Sequence, residues 1–590
     1  MNDTDANENE FVRLSQSPLF EMMNDFYSNV SIDAWKHGIV PSFVTQNTFI
    51  AHSYVQLILG YIQDLHQQNV LDTREPFYII EVGGGSGRLS FYICNALKEL
   101  QRRIERFLPF ENIKYVLTDF CESNVSYWQT HSGLEQFVNE NMLDFAQFDA
   151  VHDSKLKLKV SNVTLDKHSV VNPTCIIGNY VIDTLAQDSF RIEQGILKEG
   201  LVSVKKKDNA DPQNVDAISN LIGSDHLCHL ETEYKYNQVD AKEYYHTQVD
   251  PRDRTLLEAI LKWYQSYFSK SNDDDKENQT RDILGCTPAP LPPDASILLP
   301  IGFIKAMRNL TDLSSSKTLF ITGDKGILNP DRFRGLSDPH VAFHGSVSFM
   351  ANFHAIQLYC LQRGGHCVLG DQDEVSIMAN AFVFSDKDEI IDSIEIDGKQ
   401  INDLNSKRNV QWLFLNDAFQ DYINSFGPNE FYYFQKTLRD ECQNPSLQSI
   451  ISLLKLSHFD CKIFYKFRLD IINGIGKESD GIRGEFQNAI HKLWKNYYHM
   501  NETEDVAFEL GRLFYGLFMY KEAIEFYQHS IDLCGRHFVT FQNMGMCYAS
   551  LDDNENAKDY LRKAISLNPN YTKAIDFLER LENGGLDSVD

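Results

Sequence analysis

Apolar positions follow three different rhythms along the chain. Between Pro18 and Gln67 the spacing is mainly helical. Tyr54, Leu57, Ile58, Tyr61, Ile62 and Leu65 recur every three or four residues, one stripe of an amphipathic helix over Ile50 to Leu65. Pro41 and the polar run Thr45 to Thr48 interrupt the helices before it. From Phe77 the rhythm changes to short continuous apolar runs at Phe77–Ile80, Ile113–Leu117, Phe145–Phe148, Cys175–Ile177 and Leu319–Ile321, with helical spacing between them. Such runs suit strands buried on both faces, and their alternation with helices predicts a mostly parallel sheet. The alternation breaks between Lys205 and Lys317. A Tyr-rich stretch over Tyr234 to Tyr245, a helix from about Thr255 to Phe268, a polar loop from Ser269 to Asp282 and four prolines up to Pro293 read as an insertion over the sheet, placed to cap a substrate.

The third rhythm is a repeat. Gly511, Phe514, Ala523 and Tyr527 recur 34 residues later as Gly545, Tyr548, Ala557 and Leu561, and Pro569 closes the second copy. Small residues at two helix crossings with aromatics between them resemble the tetratricopeptide repeat. Ala489, Ile490 and Leu493 keep the register one period earlier, which predicts a degenerate third unit, and a helix from Tyr571 to Leu581 would cap the stack. The resemblance implies a groove for a protein or peptide partner.

Charge narrows the function classes. Asp and Glu number 83 against 55 Lys and Arg, a net charge of −28 over 590 residues. Generic nucleic-acid binding and docking on anionic membranes both need a basic footprint that this balance lacks. Eleven cysteines without a CxxC pair support neither a zinc ribbon nor a disulfide scaffold. The polar acidic start has no signal or transit pattern, and no apolar run reaches membrane-spanning length, so a cytoplasmic protein is expected. His340, His344, His354 and His366 fall close together but share no helical pair, and no metal site is read from them.

The chemistry concentrates at Glu81-Val82-Gly83-Gly84-Gly85-Ser86-Gly87-Arg88, directly after the first apolar run. Arg88 stands where a dinucleotide fingerprint needs its third glycine, and no Lys-Ser or Lys-Thr closes a phosphate loop. The acidic-x-Gly-x-Gly-x-Gly pattern instead resembles motif I of the Rossmann-like, S-adenosylmethionine-dependent methyltransferases. That resemblance implies S-adenosyl-L-methionine as cofactor. Gly83, Gly85 and Gly87 would let the backbone pass close to it, and Glu81 would face its positive charges. Asp119, ending the second strand, would accept the ribose hydroxyls. Asp149, ending the third, would accept the adenine amino group, with Phe148 beside the ring.

Ser42 to Asn47, Asn179-Tyr180-Val181-Ile182-Asp183-Thr184-Leu185 and Gly323-Asp324-Lys325-Gly326 are together similar to the MidA-type methyltransferases, over roughly residues 20–370. That family includes an arginine methyltransferase of mitochondrial complex I assembly. Asn179, Asp183 and Leu185 match its fourth-strand motif, while Tyr180 stands in place of Glu and Ala186 in place of Pro. A carboxylate that would hold a guanidinium is missing. The resemblance implies catalytic roles for Asn179 and Asp183, the latter as base or substrate-orienting group.

The expected organisation is an acidic tail over 1–15, then a methyltransferase-like α/β domain over 16–387 with a helical lead-in (16–70) and the insertion (205–317). A helical connector (388–456) and an all-α tetratricopeptide region (457–590) follow, with clear repeats over 504–571 and a capping helix over 571–582. Two functions fit this layout. One is a methyltransferase whose repeats recruit a protein substrate. The other is a non-catalytic scaffold with a degenerate cofactor domain. Oligomeric state is not readable from the sequence.

Overall fold

A computed structural model describes residues 11–206, 230–245, 249–269, 294–314, 317–343, 346–370, 377–385, 410–500 and 504–583. The chain divides into two compact units, Met1–Gln46 with Ile50–Asn429 and Asn47–Phe49 with Glu430–Asp590.

The first unit is built on a seven-stranded sheet. Its strands are β1 (Phe77–Glu81), β2 (Ile113–Asp119), β3 (Leu143–Gln147), β4 (Thr174–Asn179), β5 (Thr318–Asp324), β6 (His366–Val368) and β7 (Met378–Phe384). Their order is β6-β7-β5-β4-β1-β2-β3. β1 to β5 pair in parallel, whereas β7 is antiparallel to both β5 and β6. Continuous apolar composition follows from burial on both faces: every residue of β1, β5 and β7 is buried. The chain winds outward from β1 to β3 and then returns to the other side of β1 as β4. That reversal opens a crevice at the carboxyl ends of β1 and β4, where open α/β sheets place their ligands.

All five apolar runs lie within or against these strands, and the helix expected over Ile50 to Leu65 spans Thr48–Gln67. β3 stops at Gln147, so Phe148 and Asp149 follow the strand rather than close it. β7 was not foreseen, because Asn380 interrupts its apolar run. Asn380 is fully buried and its Oδ1 accepts the Gly370 amide at 3.1 Å.

Three boundaries differ from expectation. Residues 11–15, assigned to the tail, are ordered: Val12 and Arg13 pair with Val202 and Leu201, and Leu14 is buried. The insertion begins earlier than 205. Asp188–Glu193, Ile196–Lys206, Leu230–Gln238 and Ala295–Leu299 form an antiparallel sheet with Val12–Arg13. It also ends earlier than 317, because Ile301–Thr311 is the helix that leads into β5. The helix expected over Thr255 to Phe268 spans Pro251–Ser269. Its apolar face is buried in the main core with Phe353 and Tyr359, so it packs on the fold instead of capping a site. Beyond Ser269, the polar loop expected as far as Asp282 and all four prolines lie outside the described residues, as do 388–409 of the expected connector. The rest of the connector is helical, with Leu413–Phe419, Pro428–Asp440 and Leu447–Leu456.

In the second unit, Val506–Gly516 with Tyr520–Cys534 and Phe538–Ser550 with Asn554–Leu567 form the two helical hairpins of the repeat, followed by Thr572–Glu582. The glycines sit where the hairpins cross. A Cβ at Gly511 would lie 2.7 Å from the Tyr527 ring, and one at Gly545 would lie 2.9 Å from Leu561 Cγ. Asp505 caps the first helix through the Phe508 amide at 2.8 Å and also accepts Ser530 Oγ at 2.5 Å, tying it to its partner helix. In the earlier, degenerate unit Ala489, Ile490 and Leu493 are buried on Asp480–Lys495. The preceding helix, Cys461–Gly474, ends about where a strict period would begin it.

Gly511→Ala tests the crossing. Alanine improves helix propensity by about 1 kcal/mol, but here its Cβ displaces a buried tyrosine, and overpacking costs about 1–3 kcal/mol. The expected outcome is a lowered thermal midpoint by far-ultraviolet circular dichroism. A raised midpoint would show that the Tyr527 ring yields freely.

Candidate active site

The turn after β1 is shaped by backbone that only glycine adopts without strain. Gly83, Gly85 and Gly87 have φ of +66°, +52° and +75°. Gly87 is the N-cap of the helix Arg88–Glu99. The turn is fastened to β2: the Gly84 amide donates to Thr118 O at 2.9 Å and the Gly85 amide to Asp119 Oδ2 at 3.1 Å. Trp128 Nε1 donates to Gly85 O at 3.0 Å.

A cavity of about 540 Å³ opens at the carboxyl ends of the strands. Gly83, Asp119, Phe148, Asp149 and Asn179 all line it, from four different strand ends. Glu81, Gly85, Gly87 and Asp183 are not among its lining residues. Glu81 turns toward the helix behind the turn, where its carboxyl accepts Ser90 Oγ and, at 2.5 Å, Tyr115 Oη. Burial on both faces of the sheet leaves that side chain no route to the crevice, and desolvation raises its pKa to about 7. Gly85 lies beneath the Trp35 indole, which a Cβ there would approach to 2.7 Å.

Asp119 is buried. Its carboxylate accepts the Gly85 and Cys121 amides, and desolvation raises its pKa nonetheless. Asp149 is half-exposed. Its Oδ1 accepts the Val151 and His152 amides, and its Oδ2 lies 2.8 Å from His152 Nδ1. Asn179 is held at both ends of its amide: Oδ1 accepts Tyr54 Oη at 2.7 Å and Nδ2 donates to Thr45 O at 3.1 Å. Gly323 on β5 makes room for this pair, since a Cβ there would lie 2.7 Å from Tyr54 Oη and 2.8 Å from Asn179 Oδ1. Tyr180 follows with φ +52°, a strained conformation for a bulky residue, and its amide donates to Gly323 O at 2.9 Å.

Asp183 is buried behind this wall. Its amide donates to Asp324 Oδ2 at 3.1 Å, and its own Oδ1 makes no hydrogen bond among the described residues. Burial raises its pKa to about 7, with the Lys325 charge opposing. Asp324 is raised well above the carboxylate range by burial and then by the charge of Asp183.

The lead-in supplies much of the cavity wall, a role assigned from the sequence to the insertion. Phe20, Met23, Asn24 and Tyr27, spaced as one face of the helix Pro18–Val30, line the cavity together with Trp35 and Gln46. Tyr27 stacks on Trp35 with centroids 5.9 Å apart, and Ser86 Oγ donates to Gln46 Oε1 at 2.9 Å. The helical periodicity of that face was visible in the sequence, but its partner was not. The described residues from Lys205 to Asp294 contribute nothing to the lining. His354, one of the four clustered histidines, is buried with Nδ1 2.9 Å from Tyr264 Oη.

Residues 58–266 match the family described as "Putative S-adenosyl-L-methionine-dependent methyltransferase", and residues 540–580 match the tetratricopeptide repeat. These matches bear out the two resemblances read from the glycine turn and the 34-residue period. No curated protein matches. Two crystal structures of proteins from Burkholderia thailandensis are similar to this chain. One is an uncharacterised protein, with 10% identity, 65% of this chain and 89% of that one covered, and a TM-score of 0.32. The other is of the same superfamily and holds S-adenosyl-homocysteine, with 11% identity, 65% and 90% covered, and a TM-score of 0.33. No helix among the described residues is long and apolar enough to cross a membrane.

The Glu81 carboxyl, raised from 4.5 to about 7, sets a pH dependence. The stability that its neutral form contributes is complete below about 4.5 and is lost as pH rises through about 7. Glu81→Gln keeps an acceptor for Ser90 and Tyr115 but cannot ionise. The thermal midpoint of the wild type should therefore fall more between pH 5 and pH 8 than that of Glu81→Gln, a difference on the order of 3 kcal/mol. Parallel pH profiles would show that Glu81 ionises freely in the folded state.

Proposed function

We propose that the cavity binds S-adenosyl-L-methionine and that the first unit transfers its methyl group to an acceptor brought by the C-terminal repeats. The observation that carries this reading is the convergence of Gly83, Asp119, Phe148, Asp149 and Asn179 on one cavity. Its volume of about 540 Å³ lies within the range of roughly 300–1,000 Å³ usual for small-molecule sites. When bound, the sulfonium supplies an electrophilic methyl group.

The chain's own residues would bind, orient and exclude water. Gly83 leaves the wall thin beside Val181, whose Cγ2 would lie 3.2 Å from a Cβ. Asp119, whose two oxygens accept the Cys121 and Gly85 amides, would accept a ribose hydroxyl where it lines the cavity. Asp149 would take the adenine amino group, with Phe148 along the ring. Asn179, fixed by Tyr54 and Thr45, would position the acceptor, and Asp183 would hold the following loop from behind. Glu81, Gly85 and Gly87 would act through the shape of the turn. The acidic, cysteine-poor sequence supports a cytoplasmic setting, and the match to the tetratricopeptide repeat supports a protein or peptide partner.

Two observations favour a scaffold that binds cofactor without turnover: Asp183 lies behind the lining, and Tyr180 stands where the MidA-type motif has an acid. Calorimetric titration with S-adenosyl-L-methionine tests binding. Asp149→Ala should weaken it by about tenfold to a hundredfold, as expected for loss of one charge-assisted hydrogen bond. Asp149→Asn, which keeps the cap on Val151 and His152, should fall between. Equal affinity in wild type and Asp149→Ala would remove Asp149 from the site. Binding without transfer of labelled methyl groups to a cell extract would select the scaffold.

A further inference from the structure

The cavity wall divides by charge. With Asp119 and Asp149 committed to the donor, on the reading just proposed, the wall supplied by residues 15–46 and 179–186 holds apolar and neutral polar side chains and no Asp, Glu, Lys or Arg. A guanidinium or ammonium acceptor would sit there without a carboxylate, and burying an unpaired cation is costly. That wall also lacks a proton acceptor. Tyr27 is kept a neutral phenol by burial, and the Asp183 carboxyl lies behind the wall. The imidazole lining the cavity, His152, is turned to the Asp149 carboxylate at the end assigned to adenine, so a nucleophile at the opposite wall has to arrive deprotonated.

One cation lines the cavity among the described residues besides histidine. Lys305, half-buried on Ile301–Thr311, enters no ion pair and no side-chain hydrogen bond among them. Its helix is docked on the loop beyond β4, where the Gly302 amide donates to Ala186 O at 2.7 Å. One turn further on, Asn309 Nδ2 donates to Ala150 O and Val151 O at 3.1 and 2.8 Å. Lys305 is thus carried on a fixed support with its charge unspent.

We infer that the methyl acceptor is a carboxylate, held in the cavity with Lys305 as its counter-charge, and that the product is a methyl ester. A lone pair of the carboxylate oxygen forms the O–CH3 bond while the S–CH3 bond breaks and leaves its pair on sulfur. The negative charge of the acceptor and the positive charge of the sulfonium cancel. No proton moves, so no base is required, which agrees with the absence of one from the described part of that wall.

The test uses the full chain, S-adenosyl-[methyl-³H]methionine and a cell extract, with Asp149→Ala as background and donor affinity measured by calorimetry in parallel. Most of the label above background should become volatile as methanol after mild alkali, because esters hydrolyse there and N-methyl groups do not. Alkali-stable label, recovered as methylarginine or methyllysine, would overturn the inference and leave the donor site standing. Donor binding with no label above background would also overturn it. Failure of the donor to bind would remove the donor site and this inference with it. Lys305→Glu should cut alkali-labile label about tenfold or more at limiting extract, with donor affinity unchanged, and Lys305→Arg should retain it. Full labelling by Lys305→Glu, or a loss matched by weakened donor binding, would overturn the role of Lys305.

Discussion

The first unit depends on how the chain leaves β1. Within the six residues from Val82 to Gly87 it has to stop pairing as a strand, pass the carboxyl edge of the sheet and begin a helix. Three left-handed glycines make that reversal, and two amides of the turn are fastened to β2 through Thr118 and Asp119. The result is a thin stretch of backbone at the point where the winding of the sheet reverses, with strand ends on either side. Every residue gathered around the cavity is placed relative to this turn.

The same constraint explains why the acids near the turn divide. Glu81 ends β1 and is enclosed on both faces, so it serves the packing of the helix behind the turn through Ser90 and Tyr115. Asp119 ends the neighbouring strand, where its carboxylate reaches both the turn and the cavity. Asp149 sits two residues past β3 and is free of the sheet's enclosure. Glu81 and Asp119 are equally buried, so the direction each side chain takes decides which of the two meets the cavity, while Asp149 is half-exposed.

The lead-in closes the cavity from the other side. The helix Pro18–Val30 buries Leu19, Met23, Phe26 and Val30 in a small core with Val202, Leu230 and Phe349, while Phe20, Asn24 and Tyr27 reach the cavity wall. Trp35 rests against Gly85 because the glycine has no side chain to hold it off. The smooth turn therefore serves two partners, the cavity on one side and the indole on the other. Asn179, gripped by Tyr54 and Thr45, ties the same lead-in to β4.

Periodicity and residue type alone determined the parallel strands, the glycine turn, the 34-residue repeat and the places of Asp119 and Asn179 at strand ends, because each is a local consequence of which residues tolerate burial, crossing or positive φ. β7 escaped because one buried asparagine breaks its apolar run. The antiparallel sheet from Asp188 escaped because, beyond the local hairpin at Glu193 and Ile196, its pairings with Val12–Arg13 and Ala295–Leu299 are long-range and leave little local trace. Only the tertiary structure decided that Glu81 faces inward and that Asp183 lies behind the wall. It also decided that the lead-in lines the cavity while no described residue from Lys205 to Asp294 does, and that Lys305 enters it without an ion pair among the described residues. Those outcomes depend on which faces meet across hundreds of residues of separation, and sequence spacing carries no record of that.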